Sequence, residues 1–176
     1  ADVEVHIAGT SVPAHRLVLC LQSKYFSDAL TGDFKEGCVN KLTCENGKEH
    51  SYLRMLQYLY TGDYAYEPSV LISKEDDSEL LKHPRVYFLA DSLFLEKLKN
   101  AALKKFEAVL EQLWVSESLV ECIVEVFSNT LSGDAMRAAL VRSIIVHRKE
   151  LLSKSAFEQL ISDGGDFAVE MTRALV

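Results

Sequence analysis

Hydrophobic spacing along the chain switches between two periods. Val3, Val5 and Ile7 alternate with Glu4 and His6, the two-residue period of a strand with one buried face. Gly9-Thr10 reads as a turn, and Ser11-Val12-Pro13 as the start of a short return strand. From Arg16 the period lengthens. Leu17 and Leu21 stand four apart, as do Tyr25 and Ala29, and Phe26 and Leu30, which predicts two short helices. Ser23 is placed to cap the second, and Thr31-Gly32-Asp33 to end it. Lys41 to Cys44 is a candidate strand, closed by Asn46-Gly47. Tyr52, Met55, Leu56 and Leu59 follow i, i+3, i+4, i+7, an amphipathic helix that Gly62 terminates. Asp63 to Asp77 reads as a loop with the acidic run Glu75-Asp76-Asp77. Pro84 suits the first turn of a helix with the stripe Val86, Leu89, Ala90, Leu93. The next helix sets Leu98, Ala102, Phe106 and Val109 on one face.

After a break at Leu113 to Ser116, only helical patterns follow. Ser118-x-x-Glu121 and Ser155-x-x-Glu158 read as capping boxes. Asp134 and Asp166, each following a glycine, read as N-caps. The helix from Leu119 to Phe127 is apolar on nearly every side, which predicts burial. The fold class is α+β: short strands among helices to about residue 112, then an all-helical extension, residues 113–176, packed on the first part.

Composition narrows the function. Of 176 residues 48% are hydrophobic and 26% charged, with a net charge of −7, which disfavours a nucleic-acid partner. No apolar run reaches the ~18 residues of a membrane span, and no signal peptide opens the chain. The expected compartment is intracellular, cytoplasm or nucleus. The four cysteines, Cys20, Cys38, Cys44 and Cys122, show no C-x-x-C spacing and read as free thiols in a reducing compartment.

Candidate chemistry is sparse. Cys20 and His15 could pair as nucleophile and base, but no Asn or Asp is placed to orient the histidine, and apolar neighbours make a thiol inert. Nucleophile-elbow and phosphate-cradle motifs are absent. Cys38, Cys44 and His50 are poorly spaced for zinc. Asp163-Gly-Gly-Asp166 is too short for a calcium loop and reads as a helix stop and start. His147 falls on an apolar stripe and reads as packed; Lys97, Lys99, Lys104 and Lys105 read as a solvated helix face. The expectation is therefore no enzyme, metal, cofactor, small-molecule substrate or nucleic acid, and protein partners instead.

Three stretches carry a resemblance. Asp2-Val3, Ala14-His15-Arg16, Leu19 and Ser23-x-x-Phe26, then "LQYLYTGDY" (Leu56 to Tyr64), then "VYFLADSLFLEKLKNAALKKF" (Val86 to Phe106) resemble, in order, a BTB/POZ domain. The resemblance implies a small, mainly three-stranded sheet flanked by a cluster of helices over residues 1–112. The helical tail with "GDFAVEMTRAL" is similar to the extension on BTB proteins of filamentous fungi. The resemblance also implies roles. His15 is structural, and Phe26 anchors the second helix. Leu17, Leu19 and Leu21 feed the core and a homodimer face. Asp2 and Arg16 match a charged pair at the dimer groove, or else form an intradomain bridge. Phe34-Lys35-Glu36 matches the hydrophobic-x-Glu pattern of members that recruit cullin-3 ubiquitin ligases, or else Phe34 caps the core and Glu36 is solvated. Two functions follow: a cullin-3-type substrate adaptor, or a homo-oligomerisation module of a regulatory protein.

Overall fold

The alternating N-terminal residues build the centre of a three-stranded sheet. The structure is a computed structural model and describes residues 1–7, 9–31, 41–44 and 49–175. Strand β1 (Val3–Ile7) lies antiparallel to β2 (Thr10–Ala14) and parallel to β3 (Lys41–Cys44), in the order β2-β1-β3. Val3, Val5 and Ile7 bury one side of β1, with Leu42 and Cys44 beside them. Gly9 turns the chain at φ +80°, where a side chain would be strained. A parallel neighbour requires a crossover, and α1 (Arg16–Gln22) and α2 (Lys24–Thr31) lie within it. Pro13 has no N–H to give a ladder, and it sits on the edge strand, where a sheet tolerates that.

Internal contacts divide the chain into two units, residues 1–77 with 85–102 and residues 78–84 with 103–176. In the first unit α1 packs against α2 and against α3 (Glu49–Thr61), which also meets β1. Met55, Leu56 and Leu59 are buried, and α3 stops at Gly62, whose N–H donates to the Tyr58 carbonyl at φ +81°. From Gly62 to Leu81 the chain forms neither helix nor strand. Helix α4 (Lys82–Ser92) carries Pro84 in its first turn, and Val86, Leu89, Ala90 and Leu93 are all buried. Helix α5 (Glu96–Leu113) buries Leu98, Ala102, Phe106 and Leu110. The stripe advances by fours, so Leu110, not Val109, completes it.

The second unit is helical: the end of α5, then α6 (Leu119–Asn129), α7 (Ala135–Val146), α8 (Arg148–Leu151), α9 (Ser155–Asp163) and α10 (Gly165–Ala174). Helix α6 meets α7, α9 and α10. Leu119, Cys122, Ile123 and Val126 are buried, but Val124 is 49% exposed. The neighbours cover only part of α6, so its all-round apolarity overstated its burial. Trp114 stacks on His147 with centroids 3.8 Å apart and planes 5° from parallel.

Three predicted caps are corrected. Ser118 has helical backbone angles, and its hydroxyl lies 2.8 Å from that of Ser116, so it makes no capping bond. Ser155 is already inside α9, and Lys154 holds the cap position. Gly164 and Gly165, at φ +76° and +78°, start α10 one residue early, placing Asp166 within the first turn, 3.5 Å from Arg137. Asp134 does cap α7, accepting from the Met136 N–H at 2.8 Å. Arg137, buried, donates to the Phe127 carbonyl at 2.8 Å, to the Thr130 carbonyl, and to Glu170 at 3.0 Å. It thereby closes the C-terminal end of α6 with a side chain from α7.

Helix α4 ends with paired bonds, Leu95 N–H to the Ala90 carbonyl at 2.8 Å and Phe94 N–H to the Asp91 carbonyl at 3.2 Å. This motif needs a left-handed residue, usually glycine, and here Phe94 supplies it at φ +56° while 68% exposed. The side chain contributes little burial and the backbone is strained, so Phe94→Gly should stabilise the fold by about 1 kcal/mol. Urea unfolding would show this as a higher midpoint; an unchanged or lower midpoint would mean the phenyl ring contributes more than its exposure indicates.

Candidate functional site

The start of α1 is assembled by residues distant in sequence. An α-helix begins with N–H groups that lack partners inside it. The Arg16 N–H donates to Asp2 Oδ1 at 2.8 Å, so a carboxylate sits at the helix N-terminus, where the helix dipole favours it. The Asp2 carboxyl is held below its ordinary range, chiefly by this bond. His15 occupies the N-cap position; its backbone N–H donates to the Tyr60 hydroxyl at 2.7 Å, and its Nδ1 lies 2.9 Å from the same oxygen. Tyr60 belongs to α3, so His15 ties two helices together. The Arg16 guanidinium donates to the Leu30 carbonyl near the end of α2. Asp2 and Arg16 are thus brought together through a backbone N–H, while the guanidinium reaches a helix end.

Phe26 is buried in α2 and meets Tyr25 edge-on, with centroids 5.5 Å apart. The Ser23 hydroxyl accepts from the Phe26 N–H at 3.4 Å and donates to the Leu93 carbonyl at 2.8 Å, capping α2 and joining it to the end of α4. On α1, Leu19 is buried, whereas Leu17 and Leu21 are 69% and 76% exposed. These two leucines and Tyr25, 46% exposed, leave apolar side chains in water beside the helix junction. Cys20 and His15 form no catalytic couple. The His15 Nδ1 faces Tyr60, the Cys20 thiol donates to the Phe26 carbonyl at 3.6 Å, and burial pushes the thiol pKa up. Phe34, Lys35, Glu36 and Cys38 lie outside the described residues, as do the turns at Gly32-Asp33 and Asn46-Gly47.

Asp76 and Asp77 of the acidic run turn inward, while Glu75 stays exposed. Arg54, on α3 and 4% exposed, donates to Asp76 Oδ2 at 2.6 Å, to the Tyr66 carbonyl at 3.2 Å and to the Ala65 carbonyl at 3.4 Å. Its Nη1 lies 3.8 Å from Asp77 Oδ2, and Asp77 also pairs with Arg85. His50 adds a ring nitrogen 3.0 Å from the Lys74 carbonyl, and Lys74 reaches Glu49 at 3.1 Å. These bonds hold both ends of the segment 65–77 to α3. A cleft of about 460 Å³ lies between α3, β2 and Leu71. Sequence reasoning missed Arg54. The available signal was a lone arginine amid the apolar stripe of α3, with an acidic run following some twenty residues later.

Among the described residues no group of three or more His, Cys, Asp or Glu is placed to hold a metal ion. No described helix is long and apolar enough to cross a membrane.

A small sheet capped by short, side-chain-locked helices with apolar residues turned outward defines a protein-interaction module. The chain belongs to the BTB/POZ domain family, whose model matches residues 1–107. It is 35% identical over 80 residues to human Kelch-like protein 5, a match covering 46% of this chain and 10% of that protein. It is 25% identical over 160 residues to Kelch repeat protein M-T8 of myxoma virus, covering 90% of this chain and 28% of the viral protein. Mouse Kelch-like protein 38 is 25% identical over 97 residues, covering 55% and 17%. The chain thus matches between 10% and 28% of the length of these relatives.

Two predictions follow from this geometry. Arg54→Met removes the guanidinium shared by Asp76 and the carbonyls of Ala65 and Tyr66, leaving Asp76 with His50 and Asp77 with Arg85, which should cost about 3 kcal/mol in urea unfolding; a loss within error would show that these remaining contacts and the backbone hold the segment. Asp2 titrates lower when folded than when unfolded, so its charge stabilises above the ordinary carboxylate range, and that stabilisation is lost as pH falls through the folded value. Asp2→Asn keeps an acceptor and removes the charge. Its deficit against wild type should be present near neutral pH and vanish toward pH ~2; a deficit constant with pH would assign it to shape rather than charge.

Proposed function

We propose that this chain is a substrate adaptor that recruits a cullin-3-type ubiquitin ligase through Phe34, Lys35 and Glu36. The observation that carries the reading is the hydrophobic-x-Glu triplet placed just after the second helix of a BTB/POZ domain. An aromatic anchor suits a binding hot spot, and a carboxylate two residues on can orient a basic partner. The Kelch-like names of the relatives support an adaptor of modular architecture. The BTB/POZ part is taken as residues 1–112 and the helical extension as 113–176, with the extension enlarging the partner contact. His15 and Phe26 serve structure in this reading, and the protein works by binding, not catalysis, inside the cell in cytoplasm or nucleus.

A second reading has its own observation. Leu17 and Leu21 lie one turn apart on α1 with most of their surface in water, which favours self-association as a homodimer. Asp2 and Arg16 are then the charged pair beside the dimer face, and the protein is an oligomerisation module of a regulatory protein.

One experiment separates them. Calorimetric titration with the N-terminal region of cullin-3 should give saturable binding that Phe34→Asp weakens at least about thirtyfold, as for an aromatic hot spot of about 2 kcal/mol. Light scattering on the same samples reports the mass. No binding by the folded wild type sinks the adaptor reading, and a dimer mass lost in Leu17→Asp would then select the second.

A further inference from the structure

We propose that Arg16 is a positioning residue for the ligase contact: it fixes the end of α2, the helix that leads in sequence to Phe34, Lys35 and Glu36, and does so without touching the partner. The inference rests on the adaptor reading and deepens it. The last carbonyls of a helix have no partner inside it, and in α2, eight residues long, the Leu30 carbonyl is one of these. Helix α2 has no basic residue in its own last turn to meet them. The cation comes from α1 instead, where the Arg16 guanidinium donates to the Leu30 carbonyl. A positive charge there also suits the negative end of the helix dipole. Arg16 is itself rooted, since its backbone N–H donates to Asp2 Oδ1 at 2.8 Å and α1 packs against α2. The opposite end of α2 is held by Ser23, whose hydroxyl donates to the Leu93 carbonyl at 2.8 Å.

Burial of Phe26 and Leu30 seats the body of α2, so removing the guanidinium acts on the last turn and leaves the fold in place. Phe34 follows Leu30 by four residues, which is at most about 14 Å of chain. A side chain that anchors a partner must be ordered when the partner binds, and that ordering is subtracted from the affinity. A short helix frays at an end that nothing holds, and the triplet then starts from a looser root. Arg16 holds that root before the partner arrives. Asp2 and Arg16 thereby acquire a task besides a dimer face: Asp2 sets the start of α1, and Arg16 carries that placement to the end of α2.

The test is a set of calorimetric titrations with the N-terminal region of cullin-3. Arg16→Met should weaken binding about tenfold, the order of one hydrogen bond. Arg16→Lys, which keeps the charge and a donor, should recover most of that loss. In a Phe34→Ala background Arg16→Met should cost less than about twofold, because its effect runs through the anchor that is already gone. Arg54→Met, which destabilises the same unit through other contacts, should bind as the wild type does, so that a loss of affinity is told apart from a loss of stability. Equal affinity of Arg16→Met and wild type would overturn the inference. So would the full loss persisting in the Phe34→Ala background, no recovery in Arg16→Lys, or an equal loss in Arg54→Met. Binding that Phe34→Asp abolishes and Arg16→Met leaves intact removes this inference alone, whereas no binding by the folded wild type removes the adaptor reading and this inference with it.

Discussion

The buried guanidinium of Arg54 is the interaction on which the first unit turns. Removing an arginine from water costs several kcal/mol unless its donors are met, and here the acceptors come from outside its own helix. Asp76 and the carbonyls of Ala65 and Tyr66 belong to a stretch without regular structure. Its bonds to Arg54 tie that stretch to α3. The arrangement is reciprocal: the carboxylates are tolerable indoors because the arginine is there, and the arginine because they are. A cleft lies beside α3, walled also by β2 and Leu71.

A similar economy governs the helix ends. Asp2 completes the start of α1, Arg16 the end of α2, and Arg137 the end of α6, each from outside the helix it serves. Short helices are unstable alone and need such tertiary support. Because α1 is locked by Asp2, by Tyr60 through His15, and by Gln22 donating to the Leu59 carbonyl at 2.6 Å, it can hold Leu17 and Leu21 outward without their burial contributing to its placement. A rigid helix with unburied leucines is a sound platform for association, since little order is left to impose when a partner arrives.

Periodicity was a good guide wherever one face of an element is buried. The β1 alternation, the α3 stripe and the Val86-to-Leu93 stripe all read directly from residue spacing, because solvent exclusion imposes the period of the backbone. It was a poor guide where local geometry competes. The serines at positions 118 and 155 had capping spacing, yet a neighbouring hydroxyl and a one-residue shift of the helix start took them out of that role. Val124 lay on an apolar helix with too few neighbours to cover it. At the candidate site, family motifs pointed to Asp2, His15 and Arg16, but the contacts they make depend on Tyr60 and Leu30, forty-five and fourteen residues away. No spacing rule connects such positions. Arg54 was illegible for the same reason, as its partners lie eleven to twenty-three residues on in irregular chain.

Pro13 carries a consequence for how molecules of this kind meet. Among the described residues no strand pairs with the outer border of β2, and such a border, a row of main-chain groups, is the template on which foreign strands and fibrils grow. A ring nitrogen in that row offers no donor, and its pyrrolidine projects where an incoming strand would lie. Full-length growth of the sheet from this side is therefore blocked, since Pro13 is the fourth of the five residues of β2 and only Ala14 lies beyond it. Crowded copies of the domain can then touch along this border without zipping together, and recognition there is confined to side chains, which can be let go.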